Sequence, residues 1–197
     1  MTETPRLPAS PVLVSAAELI EGSEDGAWTD VVVRGQRLPG VTLDDARFVD
    51  CRFEGCDLAG ARFSRLVLRR VEFVECRLTG IDLGAAQLHD VRFSACKLDE
   101  ANLRGTRGER VTFDDDTMLS GTEFALADLA DSVFSASRLD GVDFRRAVLR
   151  GATFPECDLT DVLGVDGLKD AHLTRLQTLQ LAPRLAAELG IHVLDDD

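Results

Sequence analysis

Large apolar side chains recur at every fifth residue along most of this chain, and this spacing excludes an ordinary helix or strand as the organising unit. In the segment VEFVECRLTGIDL, residues 71–83, the large apolar residues are Phe73, Leu78 and Leu83. A strand with one buried face repeats every two residues, and a helix repeats every 3.6 residues. A five-residue step would therefore carry these side chains around all sides of a helix, or onto alternate faces of a flat strand.

The spacing instead predicts a coil with four corners. A chain that buries every fifth residue, and the small residue two places before it, must turn a corner in each group of five. Four corners close a square coil, so one coil takes about twenty residues and side chains twenty positions apart stack. Between Phe113 and Leu119 the step is six, so one residue is inserted within the segment DDDTM. Across that insertion the choice of Phe or Leu is kept along two predicted core columns: Phe53, Phe73, Phe93, Phe113, Phe134 and Phe154; and Leu58, Leu78, Leu98, Leu119, Leu139 and Leu159.

Two places depart from the repeat. Gly108 stands where a large apolar residue is expected, and we expect it to leave the interior underfilled between Leu88 and Leu129. Near the segment DVLGVDGL the spacing shortens to four residues, and we expect an irregular coil there. In the series Leu159, Leu163, Leu168 and Leu173, the step from Leu159 to Leu163 is four residues.

The cysteines follow the same repeat. Cys56, Cys76, Cys96 and Cys157 each precede a member of the Leu column by two residues, and Cys51 lies on the Phe column. This placement is typical of free buried thiols that act as small apolar residues. A straight ladder with no nearby His lacks the converging ligands of a metal site, and an odd number of cysteines argues against a disulfide framework.

The segments CDLAG, CRLTG, ANLRG, ADLAD and CDLTD resemble the pentapeptide repeat motif A(D/N)LXX. The resemblance covers roughly residues 31–173 and implies an all-β protein, a right-handed quadrilateral β-helix. We divide the chain into an N-terminal segment and cap at 1–30, the β-helix at 31–173, and a C-terminal helical cap and tail at 174–197. In the N-terminal segment, SAAELIEG is predicted to be a short helix that covers one end of the coil.

The segment TRLQTLQLAPRLAAELG predicts a C-terminal helix. Thr174 suits its N-cap, Pro183 should interrupt the helix or start a second one, and Gly190 suits the exit. The segment IHVL that follows resembles a short strand. In gyrase-targeting relatives a comparable tail makes a dimer contact, so the resemblance implies a homodimer. The alternative is that the leucines only plug the last coil. The candidate contact residues are Leu176, Leu179, Leu181, Leu185 and Leu189.

The sequence predicts no catalytic, cofactor-binding or metal-binding residues. His89 should project outward, and His172 and His192 lie in the terminal region. Serines and carboxylates are plentiful, but none is placed with a base and an orienting partner, and repetitive outward positions form flat walls rather than pockets. The chain shows no secretion signal and no apolar run of the length that spans a membrane. We therefore expect a cytoplasmic protein that is not an enzyme.

Charge separates the remaining classes of function. The net charge of −13 disfavours direct binding of nucleic acid or anionic membrane. Between Asp44 and Asp161 there are 23 acidic and 16 basic residues. The acidic run Asp114, Asp115 and Asp116 is a candidate partner surface. Arginines form two clusters: Arg62, Arg65, Arg69 and Arg70; and Arg145, Arg146 and Arg150.

Two hypotheses for function follow from these features. The first is a scaffold that binds a protein partner through its charged walls. The second follows from the resemblance to pentapeptide repeat proteins of the quinolone-resistance type, which are acidic rods that occupy the DNA site of gyrase or topoisomerase IV. Duplex DNA carries about one charge per 1.7 Å of axis, so a rod of roughly 29 Å would need roughly 17 negative charges. The repeat region has a net charge of only −7, which favours the scaffold.

Overall fold

The chain forms a coil of parallel strands in which each turn pairs with the turn twenty residues later. The structure, a computed structural model, describes residues 12–21 and 26–193. Phe53 pairs with Phe73, Phe73 with Phe93, and Phe93 with Phe113. For pairs that span the segment DDD the register is twenty-one, as between Lys97 and Met118, and it returns to twenty between Met118 and Arg138. The quadrilateral β-helix and the single inserted residue are therefore confirmed.

The elements are β1 (Val12–Leu13), α1 (Ala16–Glu21), β2 (Ala27–Thr29), β3 (Val31–Arg34), β4 (Thr42–Asp44), β5 (Arg47–Glu54), β6 (Arg62–Ser64), β7 (Val67–Val74), β8 (Gln87–Ser94), β9 (Arg107–Asp114), β10 (Asp128–Ala130), β11 (Val133–Phe134), a 3-10 helix (Val165–Leu168) and α2 (Arg175–Glu188). The largest sheet follows the order β1-β3-β5-β7-β8-β9-β10, and β4 pairs with β6. Parallel pairing begins before residue 31, because β1 pairs with β3 and β2 pairs with β5.

Four faces surround one continuous interior, and each is named here by the buried column behind it. Face 1 lies over the Phe column and face 2 over the Leu column. Face 3 lies over Leu43, Phe63, Leu83, Leu103, Phe124 and Phe144, and face 4 over Trp28, Phe48, Leu68, Leu88, Gly108, Leu129 and Leu149. All the large apolar residues of these columns pack in a single cluster.

The corners arise from left-handed backbone, and this conformation explains the five-residue step. Two residues after most buried column residues, the chain adopts a φ of about +50° to +70°, as at Gly60, Arg65 and Asp90. A single left-handed residue redirects an extended chain, and one in each group of five gives four corners in a coil. Glycine adopts this conformation without strain, and Asp and Asn tolerate it better than most residues.

The Asp or Asn that precedes many column residues has a structural role. The carboxylate of Asp57 accepts a hydrogen bond from the backbone N–H of Ala59, and Asn102 and Asp158 accept the equivalent bonds from Arg104 and Thr160. Such bonds stabilise a turn locally. They explain why the motif A(D/N)LXX favours these residue types one place before the buried leucine.

The interior stacks at the spacing of the strands. Ring centroids in the Phe column lie 4.8 to 5.1 Å apart, and their planes are within 15° of parallel. The five cysteines are free and buried. The thiol of Cys76 donates to the backbone carbonyl of Phe53, and the hydroxyl of Thr117 donates to that of Phe93. The small residues before the Leu column therefore tie each coil to the carbonyl oxygens of the coil before it.

The expectation that Gly108 leaves a hole in the interior is wrong. A Cβ atom there would lie 2.6 Å from Leu129 Cδ2 and 2.7 Å from Val111 Cγ2. Those two side chains occupy the space that a larger residue would need. Gly108 adopts no left-handed backbone, so its small size is required by close packing rather than by its φ angle.

In the irregular coil near the C-terminal end of the β-helix, the buried residues are not all the leucines that the sequence pattern indicates. Leu163 is 41% exposed, whereas Val162 and Val165 are buried in its place. The 3-10 helix brings Val165 and Leu168 to the interior. Leu163 cannot be a core residue because its backbone continues the strand pairing of Asp143, whose side chain projects outward.

The C-terminal helix α2 is continuous through Pro183, so the expected interruption is wrong. Proline removes the hydrogen bond from its N to the carbonyl four residues earlier, and its ring crowds that carbonyl. Contacts to the rod on both sides of Pro183, from Gln177 and from Arg184, hold the two halves in line. Thr174 is the N-cap as expected, and Gly190 has a φ of 69°. Residues 191–193 form no strand.

The stripe of α2 that faces the rod is largely polar and replaces the next coil. The side-chain amide of Gln177 donates to the carbonyls of Phe154 and Cys157, and Arg184 Nε donates to that of Thr160. Glu188 accepts from the backbone N–H of Val165. These residues recur at helical spacing, so one face of α2 meets successive backbone groups left unpaired at the end of the solenoid.

Candidate partner-binding surfaces

Arginine and carboxylate side chains on successive coils neutralise each other over much of the surface. Arg70 makes a bidentate pair with Asp50, and Arg110 makes one with Asp90. Together with Asp131, these residues form a corner column between faces 4 and 1 whose charge alternates from coil to coil. Because the acidic members are mostly paired, this corner offers no continuous negative charge to a partner.

Face 1 carries a second set of alternating pairs. Arg52 contacts both Glu54 and Glu72, and Arg34 contacts Glu54. Arg92 extends the series through a bond of 2.9 Å to Asp114. Exposed pairs of this kind contribute little to stability individually, on the order of 0–1 kcal/mol. Their main consequence is that the acidic residues of face 1 are screened by arginines one coil away.

The predicted acidic surface separates into paired and open carboxylates. Asp114 is held by Arg92, and Asp115 bonds both Arg92 and Ser94. Asp116 is exposed and lines a pocket of about 470 Å³ at the corner between faces 1 and 2. Of the three aspartates, Asp116 is therefore the one most available to a partner.

The structure brings further carboxylates to Asp116, and we call this group the acidic corner. Asp140, Glu156 and Asp158 line the same pocket, with Arg138 as its one basic residue. The backbone and hydroxyl of Thr160 donate to Asp158 and hold the pKa of that carboxyl below its usual value. Four carboxylates against one guanidinium form a local concentration of negative charge that favours a cationic side chain.

The extra members of the acidic corner are not visible in a run of adjacent residues. Adjacent residues of a coil point in different directions, whereas residues one coil apart lie next to each other. Counting in steps of twenty from Asp116 leads to Ala136 and then to Glu156, both also left-handed. A comparison of residues twenty positions apart in the sequence would therefore have placed Glu156 near Asp116.

The five leucines of the predicted dimer contact do not lie together. Leu181 is 2% exposed and packs on the rod, next to Gln177 in the capping stripe. The other four are exposed, and Leu189 is the most exposed at 75%. The helical period places Leu176 and Leu179 on one flank of the buried stripe, and Leu185 and Leu189 on the other. Of the five leucines, only Leu181 covers the end of the coil.

Within the described residues, no group of three or more His, Cys, Asp or Glu side chains is arranged to hold a metal ion. His89 projects from face 4 with Glu109 3.8 Å from its Nδ1. Burial raises the pKa of the Cys51 thiol to about 11, which makes it a poor nucleophile. No helix within 12–21 or 26–193 has both the length and the apolar character of a membrane span.

Comparison with known sequences identifies the repeat. A family profile described as a pentapeptide repeat region matches residues 46–118, and one described as pentapeptide repeats in eight copies matches residues 127–163. Together the two matches cover more than half of the chain. No curated protein matches it significantly.

Several solved structures are similar to the chain at low sequence identity. A trypsin-treated variant of QnrB1, a plasmid-mediated fluoroquinolone resistance protein, is 18% identical and has a TM-score of 0.45, covering 85% of this chain and 90% of that one. HetL, involved in heterocyst differentiation regulation in Nostoc sp. strain PCC 7120, is 18% identical with a TM-score of 0.20, covering 75% and 86%. Rfr23 from Cyanothece 51142 is 15% identical with a TM-score of 0.28, covering 72% and 92%.

Proposed function

The chain belongs to the pentapeptide repeat family, and we propose that it is a scaffold that binds a protein partner and performs no chemistry itself. Proteins of this family are generally structural or binding proteins. The observation that carries the proposal is the acidic corner. Elsewhere many carboxylates are paired with arginines one coil away, but Asp116, Asp140, Glu156 and Asp158 share one pocket with a single arginine.

A basic side chain on a protein surface is the ligand that this corner fits. A pocket of about 470 Å³ has room for a Lys or Arg side chain together with neighbouring groups. The carboxylates lie on paired strands of a parallel coil, so little backbone entropy is lost when a partner binds. Asp115 lies beside the pocket and adds to the attraction, although Arg92 and Ser94 already occupy it in part.

The test is a binding comparison between charge-neutral variants. Partners from the host are captured on the immobilised protein, identified, purified and then measured against each variant by calorimetry at low and high salt. We expect Asp116→Asn with Glu156→Gln to weaken binding at least about tenfold, which corresponds to about 1.4 kcal/mol. Binding by the wild-type protein should also weaken as salt rises, because exposed charges are screened over about 8–10 Å near physiological ionic strength.

The matched control is Glu100→Gln with Asp128→Asn, which removes the same charge from exposed positions outside the pocket. Equal loss of affinity in both double variants would show a general effect of net charge and would refute a specific site. Unchanged affinity in the Asp116 and Glu156 variant would place the partner on another face.

The second candidate is a DNA mimic that occupies the DNA site of gyrase or topoisomerase IV and protects against quinolones or similar toxins. The net charge of −13 and the exposed leucines of α2 are the features that favour it. The alternating pairs weigh against it, since Arg70 and Arg110 interrupt the negative charge at intervals of two coils. The test is supercoiling and quinolone-induced cleavage by the host enzyme. If the protein neither inhibits supercoiling nor relieves cleavage at low salt, this function is excluded.

A homodimer through α2 is part of this proposal, and the exposed flank of Leu185 and Leu189 is the contact. Leu185→Glu with Leu189→Glu should give a folded monomer by light scattering, because two buried carboxylates in an apolar contact are costly. Leu176→Glu with Leu179→Glu tests the opposite flank of the same helix. A monomeric wild-type protein would rule out the dimer.

A further inference from the structure

Leu126 is a large apolar residue that is both exposed and in a left-handed backbone conformation. It is 40% exposed and has a φ of 64°. Among the described residues with left-handed backbone it is the only large apolar one, since the others are Gly, Ala, Asp, Glu or Arg. A non-glycine residue in this conformation costs on the order of 1–2 kcal/mol. Backbone strain of this kind clusters at functional sites, which makes the surface around Leu126 a candidate contact site.

Three arginines surround this leucine. Arg104, Arg145 and Arg146 line a pocket of about 220 Å³ together with Ala125 and Leu126, on face 3 and its corner with face 4. Arg145 is bound to Asp143 through both its Nε and a terminal nitrogen. Within the described chain, no carboxylate lies at ion-pairing distance from Arg104 or Arg146. The pocket therefore combines one exposed apolar group with two guanidinium groups that lack a carboxylate partner among the described residues.

A second pocket leads from this site to the end of α2. It measures about 310 Å³ and is lined by Arg145, Val162, Leu163, Gly164, Arg184, Ala187 and Glu188. Arg145 belongs to both pockets, so a continuous path runs from the last turn of α2 to Leu126. Leu163, the leucine that the irregular coil leaves exposed, lies on this path.

The chain beyond α2 has the complementary chemistry. Residues 191–197 read IHVLDDD, with three apolar residues followed by three aspartates. Ile191 and Val193 are exposed, and the N–H of Ile191 bonds the carbonyl of Ala186, which places the start of this tail beside the second pocket. From the rung of Gly164 to that of Arg104 is three coil spacings, about 14 Å. Six extended residues span about 20 Å, so the tail is long enough.

We propose that the tail, residues 191–197, docks along face 3, with its apolar residues on Leu163 and Leu126 and its aspartates on Arg104 and Arg146. In a protein of net charge −13 most of the surface repels three adjacent carboxylates. The arginine pocket is an attractive site within reach. The tail thereby covers this face and competes with any other acidic segment for it. This inference is independent of the acidic corner, which lies at a different corner of the coil.

The test places a nitroxide spin label on the tail through Leu194→Cys, which keeps all three aspartates. The native cysteines are buried, so the new thiol is labelled selectively. Paramagnetic broadening of ¹⁵N-labelled backbone amides then reports which face the tail contacts. We expect strong broadening at Arg104 and Leu126, and little at Ser135 on face 1. Broadening should fall in 1 M salt, where charges are screened beyond about 3 Å.

Variants distinguish docking from simple proximity to the helix end. Arg104→Gln with Arg146→Gln should reduce the broadening at Leu126 to the level at Ser135. The matched control, Arg47→Gln with Arg69→Gln, removes two exposed arginines of face 4 and should leave the broadening unchanged. Leu126→Gly should weaken docking without lowering the melting temperature, because glycine suits the left-handed backbone.

Two results would overturn the proposal. The first is broadening that is equal on faces 1 and 3, or that the arginine variants do not change. The second is broadening that appears only between molecules, when spin-labelled and ¹⁵N-labelled chains are mixed, which would assign the pocket to the tail of a second copy.

Discussion

Gln177 closes a series of hydrogen bonds that runs the length of the rod, and its removal should destabilise the last coil. The buried carbonyls behind face 1 each accept from a side chain on the following coil: Val33 from Cys56, Phe53 from Cys76, Phe73 from Cys96, Phe93 from Thr117, Phe113 from Ser137, and Phe134 from Cys157. In place of a further coil after Phe154, the amide of Gln177 donates to its carbonyl at 2.6 Å.

The perturbation is Gln177→Met, which keeps the size of the side chain and removes the donor. It leaves the carbonyls of Phe154 and Cys157 without these bonds in a site where Gln177 itself is buried. An unsatisfied buried polar group costs about 1–3 kcal/mol, so we expect a loss of about 2–4 kcal/mol. For a domain of this size that corresponds to a fall in melting temperature of roughly 5–15 °C.

The assay combines denaturant unfolding with hydrogen exchange, because a solenoid can open at one end before it unfolds globally. Protection should be lost in the last coil, around Thr153 and Val162, and kept around Phe73. Gln177 also completes the capping box with Thr174, so Thr174→Ala measures the cap contribution alone. Gln87→Met, on an exposed strand position, controls for the substitution itself. A loss below about 1 kcal/mol for Gln177→Met, or one no larger than that of Thr174→Ala, would refute this account.

Three further outcomes follow from the interior and the charge pairs. Gly108→Ala should cost about 1–3 kcal/mol in denaturant unfolding, since its new methyl group would meet Val111 in a packed interior; a gain in stability would show that the coil relaxes easily. The five native thiols should react slowly with a thiol reagent at pH 8, because they are buried and the pKa of Cys51 is about 11; rapid labelling of all five would contradict the ladder. The hydrogen bond from Arg145 lowers the pKa of Asp143. The ionised Asp143 therefore contributes stability above the unfolded-state pKa of about 3.9, and this contribution is lost as pH falls through the lower pKa of the folded state. Asp143→Asn should therefore flatten the acid limb of a stability–pH curve, and an unchanged limb would contradict that coupling.

The period of the fold was predictable from sequence because a large apolar residue occupies nearly every fifth position of the interior. The column from Phe53 to Phe113 has the same residue type in each coil, so the sequence indicates which residues pair. The number of corners was predictable from apolar spacing, but the corner residues and their backbone conformation were not, since Arg65, Asp90 and Glu75 adopt the left-handed backbone that glycine signals more clearly. Exceptions to the column rule were also missed, because the space at Gly108 depends on how far Leu129 reaches across it.

The functional surfaces were predictable only in part. The sequence identified Asp116 as part of an acidic run, but the pocket depends on Asp140, Glu156 and Asp158 from neighbouring positions of the coil. At the C-terminus, leucine spacing indicated a helix but not its orientation. Polar residues face the rod because backbone groups at the end of a solenoid need hydrogen-bond partners more than they need apolar cover.

The alternating corner column has a consequence for how such a rod changes length. The interior repeats with one coil, so removal of residues 71–90 would keep every buried column in phase. The corner of Asp50, Arg70, Asp90 and Arg110 repeats with two coils, and the same deletion would set Arg70 directly beside Arg110. Removal of two coils would preserve both periods. Gene duplication or deletion in steps of forty residues would therefore conserve the charge pairing of this corner column as well as the core, whereas single-coil steps would require new charges at the junction.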